Sequence, residues 1–357
     1  MNFLDKNYKA FFVLLRAGLW GTTPDPALFV SFTGTQWQAL LALAQKQAVL
    51  GLIYSGVSRL PKELMPNQQM LLRLYGFSEQ IRKNNAKIVA VAQEVCGWFK
   101  DAGLDPIILK GLSVGIFYAE PDLRQPGDID LFFHRDYENV VAIVQSRGIK
   151  VKFNPHHDTF VYQGVLIELH REPCDLVRSA IVDFTPVEFN YIKNTFQMLN
   201  PVGNAFLLLM HAANHFMASG LGLRQFCDWA AFLKQYADSN ELEKVWKLVQ
   251  KQGAGVFACE FTALAVEVLG VELDEQRRYL IKDSIPYKRE VLLQELIRQG
   301  NFGDRNLPHR GEFIKWLSYA GRKFQMTIRV YSFFPNYIWA RFGRRIQSLF
   351  QRLLKNK

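Results

Sequence analysis

Between residues 104 and 173 the chain changes period, and that change limits its folds more than any other feature. Apolar runs of strand length replace the helical spacing seen on either side: Pro106-Ile107-Ile108-Leu109, residues 128–133, and segments near 149–153, 159–162 and 165–170. A helix is expected between them, from about 136 to 146. A chain patterned this way is predicted to be α+β, with a small mixed β-sheet core flanked by N- and C-terminal helical regions.

The first hundred residues read as helical. Thr35 with Gln38 has capping-box spacing, and Trp37, Leu40, Leu41, Ala44 and Ala48 follow as one stripe. Further stripes run Leu71, Leu74, Phe77, Ile81 and Ile88, Val91, Val95, Trp98, with Gly103 as the expected stop. After the strands, Thr185-Pro186-Val187-Glu188 reads as a helix start, as do Asn200-Pro201 and Asn240 with Glu243. The expected divisions are 1–103 helical, 104–175 mixed core, 176–309 helical, and 310–357 basic aromatic helices.

Across 357 residues there are 43 Lys and Arg against 33 Asp and Glu, an excess of +10. Residues 310–357 hold eleven of these bases and the single acid Glu312, which accounts for the whole excess. Aromatics such as Trp316, Tyr331, Phe333, Phe334 and Trp339 interleave with them. The mixture suits a polyanion such as nucleic acid, an anionic membrane surface, or plain packing of C-terminal helices with solvated cations. Cys96, Cys174, Cys227 and Cys259 form no CxxC pair, which leaves a zinc ribbon or thioredoxin-type motif unsupported. The N-terminus makes a poor signal peptide, and no apolar run is long enough to span a bilayer. The expected compartment is the cytoplasm, with reduced thiols and peripheral membrane association left open.

Chemistry concentrates around Asp128-Ile129-Asp130-Leu131. Alternate residues of a strand share a face, so the two carboxylates project together while Ile129 and Leu131 enter the core. Paired carboxylates repel unless a cation compensates them. Mg²⁺ (or Mn²⁺) suits such oxygen ligands together with substrate phosphates. Glu168, alternating with Ile167 and Leu169, is the expected third acid on a neighbouring strand. Lys110, Ser113 and Arg124 are candidate phosphate ligands, and Gly111 allows close approach of backbone to an anion.

The sequence Leu109-Lys110-Gly111, then Arg124-Gln125-Pro126-Gly127-Asp128-Ile129-Asp130, then Ile167-Glu168-Leu169-His170 resembles bacterial nucleotidyltransferases of the DNA-polymerase-β-like superfamily. The helical texture from His211 to Asp228 resembles the same family. The resemblance implies a short mixed sheet and metal-dependent transfer of a nucleoside monophosphate from an NTP to an acceptor hydroxyl. It implies that Asp128, Asp130 and Glu168 hold the metals and that Lys110, Gly111, Ser113 and Arg124 hold the nucleotide. The turn departs from the family's usual Gly-Ser or Gly-Gly, and Asp128 follows Ser113 by fifteen residues. No pattern reads a base, so ATP, GTP, CTP and UTP stay open. The acceptor stays open too, among small molecules, sugars, RNA and protein hydroxyls.

Other motifs read more simply. His170 shares the face of Glu168 and is a candidate acceptor-site or structural residue. His211 and His215 lie four apart but lack the Glu of a zinc-protease helix, so packing toward the acceptor site is expected. His156 and His157 are neighbours that would point to opposite faces, and are left out of the metal set. Arg224 and Asp228 have ion-pair spacing. Two other functions compete: an inactive nucleotide- or partner-binding protein on the same fold, regulatory or of toxin–antitoxin type, and a scaffold acting through the basic tail.

Overall fold

The computed structural model describes residues 5–154, 157–174, 182–191, 193–218, 220–236, 239–300 and 331–334. Four helices come first: α1 (Lys6–Trp20), α2 (Gly34–Lys46), α3 (Leu50–Val57) and α4 (Gln68–Asp101). The capping box at α2 uses Thr33 and Gln36, not Thr35 and Gln38. Both pairs have the right spacing, but the Gln36 amide reaches back to the Thr33 hydroxyl and the Gln36 side chain accepts from the Thr33 amide at 2.9 Å. Trp37, Leu40 and Ala44 are buried as the stripe requires.

The two stripes over 71–98 fuse into the single 34-residue helix α4. Its first half packs Leu74 and Ile81 into a helical core, and its second half packs Ile88, Val91 and Val95 beneath the sheet. Phe77 departs from its stripe and is exposed. Gly103, at φ +73°, ends the helix as expected, its amide bonding to the Lys100 carbonyl.

Next come β1 (Ile107–Leu109), α5 (Leu112–Gly115), β2 (Ile129–Phe132), α6 (Tyr137–Ser146), β3 (His157–Tyr162) and β4 (Val165–His170). The run 149–153 contributes only one isolated bridge, Lys152 to Thr159. The sheet does not end at 175. Strands β5 (Pro186–Tyr191) and β6 (Asn194–Leu199) complete it, inside the segment expected to be helical. Thr185-Pro186 therefore starts a strand rather than a helix. The Thr185 hydroxyl turns back to Asp183 instead of capping, and Phe189 and Tyr191 alternate into the core while Glu188 and Asn190 face out. A proline is tolerated because it is the first residue of an edge strand, where no ladder donor is needed.

The strand order is β3-β4-β2-β1-β6-β5. β2 pairs antiparallel with β1 and parallel with β4, while β1 pairs parallel with β6. Helices then follow: α7 (Pro201–Ala218), α8 (Leu223–Gln235), α9 (Ser239–Lys251), α10 (Gly255–Leu269) and α11 (Pro286–Gln299). Asn200 caps α7 as read from sequence, its side chain accepting from the Gly203 amide. α9 opens at Ser239, one residue ahead of Asn240.

The sheet has two covered faces. Ile108, Ile129, Leu131, Ile167 and Leu169 face α4 and α6. Ile107, Leu109 and Phe132 join the larger helical core built from α1, α3, α7, α8 and α10. Asp130 alternates with Leu131 and so shares a face with Phe132, the side turned toward α7. Of the tail, only 331–334 are described. Phe333 and Phe334 are fully buried against Phe216 and Phe257. The other tail residues read above as polyanion- or membrane-binding lie outside the described residues.

Candidate active site

Strand pairing brings the expected acids together. Asp130 on β2 is in register with Glu168 on the parallel neighbour β4. Asp128 stands two residues ahead of Asp130 on the same face. On the other side of β2, Leu109 is opposite Asp130, so Lys110 leaves β1 next to the acids.

Lys110 and Gly111 both have positive φ, +51° and +49°. An L residue rarely adopts this region, so the turn stores strain at Lys110 and calls for glycine after it. The turn is braced from inside. Ser113 is fully buried and its hydroxyl donates to the Lys110 carbonyl at 2.9 Å. Ser113, expected to donate to a phosphate, thus has a structural bond instead. α5 is one turn long, too short to offer a phosphate an appreciable helix dipole.

The Lys110 ammonium lies 2.9 Å from Asp130 Oδ1, and the same oxygen receives His170 Nε2 at 2.8 Å. Asp130 is buried to 4% side-chain exposure. Burial would raise its pKa, but Lys110 and His170 override this and hold it well below the usual carboxylate range. Burial would lower Lys110 and His170, and the acids instead raise both. Asp128 behaves oppositely. Burial and then the charge of Asp130 push it up, with Lys110 offsetting this only in part. One acid of the group therefore lacks full compensation, which is the condition a bound dication relieves. The set of Asp128, Asp130 and Glu168 offers oxygen donors only, and this fits Mg²⁺.

Arg124 lines a narrow cleft with Gly111, Gly127 and Asp128. Its guanidinium is committed: Nε and Nη2 donate to Asp228 at 2.7 and 2.8 Å, and the Tyr118 hydroxyl donates to the same carboxylate at 2.6 Å. Asn85 of α4 donates to the Arg124 and Asp122 carbonyls, tying this loop to the long helix. Asp228 therefore pairs with Arg124 and not with Arg224, its expected helical partner. Arg224 is left beside Gly127 with a long bond of 3.4 Å to the Gln125 carbonyl and no partner for Nε. Burial, then the neighbouring Arg124, lowers its pKa, while Asp128 acts the other way.

His211 and His215 stack edge to face on α7, with ring centroids 4.4 Å apart. Burial and then Lys110 lower both, His211 far below the ordinary imidazole range, and His211 also feels Asp130 and His170. The pair thus borders the acids from the helical side. Arg171 bonds to Asp158 rather than to Glu168, leaving Glu168 to the site.

Sequence reasoning missed two features. One is Arg224, hidden behind its spacing to Asp228. The other is His157, which lies across from His170 in the β3–β4 hairpin. The two-residue turn Gln163-Gly164, both at positive φ, fixes that register by placing Tyr162 opposite Val165. Counting back from the turn would have found the pair.

A family described as "Uncharacterised nucleotidyltransferase" matches residues 33–270, and this chain belongs to it. No curated protein matches. Among solved structures, an antigenic nucleotidyltransferase-like protein from Paracoccidioides brasiliensis is 14% identical over 55% of this chain and 95% of its own, at a TM-score of 0.31. A tRNA nucleotidyltransferase complexed with a primer tRNA and an incoming ATP analog is 12% identical over 73% and 99%, at 0.21.

Proposed function

We propose that the protein is a metal-dependent nucleotidyltransferase that moves a nucleoside monophosphate from an NTP to an acceptor hydroxyl. One observation carries the reading: Asp130 and Glu168 stand in register on adjacent parallel strands, with the Lys110 ammonium on Asp130. Asp128, Asp130 and Glu168 would hold Mg²⁺, which supplies charge neutralisation for the triphosphate and the attacking oxygen. Lys110 and Arg224 bring positive charge for the phosphates. Arg124, its charge met by Asp228, shapes the cleft beside Gly111 and Asp128. Gly111 lets backbone approach closely, and Ser113 holds the turn that aims Lys110. His170 orients Asp130, while His211 and His215 form the wall on the acceptor side. Among the described residues of the site no group is placed as a covalent nucleophile, so catalysis rests on positioning and electrostatics.

The Lys110–Asp130 ion pair also favours a second reading, a binding protein in which the lysine permanently replaces a metal. Calorimetric titration with ATP, GTP, CTP and UTP, with and without Mg²⁺, separates the two when paired with an assay of pyrophosphate release. Transfer predicts Mg²⁺-dependent binding of an NTP that disappears in Asp128→Asn/Asp130→Asn. Nucleotide binding that ignores Mg²⁺ and never yields pyrophosphate supports the second reading. Among the described residues no helix is long and apolar enough to cross a membrane. A cytoplasmic setting remains part of the proposal, as does a polyanion or membrane partner for the basic tail.

A further inference from the structure

Among the described residues, one group of His and acid side chains converges closely enough to hold a metal ion. It is His157, Glu168 and His170, whose ligand atoms all lie within 4.8 Å of one another. The hairpin register makes this group. His157 faces His170 directly across β3 and β4, and Glu168 lies two residues before His170 on the same face. Each oxygen of the Glu168 carboxylate meets one ring: Oε1 is 3.5 Å from His157 Nε2, and Oε2 is 3.5 Å from His170 Nε2.

That distance is informative. It is long for a hydrogen bond between a ring nitrogen and a carboxylate. It is close to the spacing of two ligands on one tetrahedral ion, about 3.4 Å when metal–ligand bonds are about 2.0–2.1 Å. His157 is 31% exposed, so the group opens to solvent and an ion has an entry path. His170 Nε2 is also 2.8 Å from Asp130 Oδ1, so an ion taken by that nitrogen replaces its hydrogen bond to Asp130 and finds the Asp130 carboxylate beside it as a fourth donor.

We infer that His157, Glu168 and His170 form a binding site for a borderline dication of the zinc class, separate in chemistry from the all-oxygen magnesium set. Two imidazoles and a carboxylate select Zn²⁺ or Co²⁺ and discriminate against Mg²⁺, which prefers oxygen and near-octahedral geometry. The ion would sit against Asp130 and so next to the nucleotide. The inference meets the proposed function only at Glu168 and Asp130, and its test uses no nucleotide, so either can fail alone.

The experiment is a titration of the full chain, stripped with a chelator, with Co²⁺ as the probe. The visible d–d absorption is read, followed by displacement with Zn²⁺. The expected result is one equivalent of Co²⁺ in a low-symmetry N/O environment, displaced by Zn²⁺ and not by a hundredfold excess of Mg²⁺. His157→Ala weakens Co²⁺ binding at least tenfold, and His170→Gln does the same. Glu188→Gln, at an outward position of the edge strand β5 away from both sets, leaves it within about twofold. His157 is partly exposed, so its variant tests the site even where the His170 variant fails to fold; circular dichroism confirms the fold. Unchanged Co²⁺ affinity in folded His157→Ala overturns the inference. So does displacement by equimolar Mg²⁺, or the absence of Co²⁺ binding by the folded wild type.

Discussion

Asp228 is the residue on which the loop ahead of β2 depends. It accepts from Arg124 twice and from Tyr118 once, all buried. Removing one partner of a buried ion pair leaves the other charge uncompensated, at a cost of about 3–5 kcal/mol, whereas replacing both with apolar groups costs far less. Asp228→Ala is thus expected to lose that much in urea denaturation, and Arg124→Met/Asp228→Leu to regain most of it. A histidine makes the pH prediction. Burial, then Lys110, holds His211 well below its ordinary value of 6.5, so the folded protein keeps it neutral. The unfolded chain binds a proton there first. The stability this neutral ring supports is present above pH 6.5 and declines as the pH falls, by at most about 1.4 kcal/mol per pH unit. His211→Gln should flatten the acid limb of the stability curve by up to one proton. An NMR titration in which the His211 ring protonates at its ordinary value would contradict this.

Elements succeed or fail on their ends and crossings. The capping box of α2 predicts that Thr33→Ala costs about 1 kcal/mol, while Thr35→Ala changes stability by less than about 0.5 kcal/mol. Thermal melts of the two variants distinguish them. α1 and α3 cross so closely that a Cβ on Gly18 would overlap the Leu52 carbonyl and one on Gly56 the Leu14 carbonyl. Backbone cannot yield as a side-chain end can, so Gly56→Ala should destabilise by at least about 1–3 kcal/mol despite the better helix propensity of alanine. Element types were legible where period and ends agreed: β1, β2, β4, α6 and the start of α7. They were misread at Thr185-Pro186, because capping-box spacing is local and cheap to satisfy by chance, whereas the strand there is held by pairing with β6.

The whole molecule is tied across its two cores by α4, which contributes Leu74 and Ile81 to one and Ile88 and Val95 to the other. Division at residue 103 therefore separates segments of sequence but not of packing. Unfolding followed by the fluorescence of Trp229, in the helical core, is expected to coincide with unfolding followed by amide exchange in β2 and β4. Two separated transitions would show that the cores are independent. The described part of the tail belongs to this body as well, since Phe333 and Phe334 fill space beside Phe216.

By itself the sequence determined the α+β class, the strands that carry the acids, and two shared faces, that of Asp128 with Asp130 and that of Glu168 with His170. These follow from alternation, which is a property of a strand wherever it lies. Only the tertiary structure decided who partners whom: Lys110 with Asp130, Arg124 with Asp228 in place of Arg224, and His157 with Glu168 and His170. Such pairings depend on which strands and helices become neighbours after the chain has closed loops of many residues. Charge chemistry is set by that neighbourhood, and spacing along one element does not contain it.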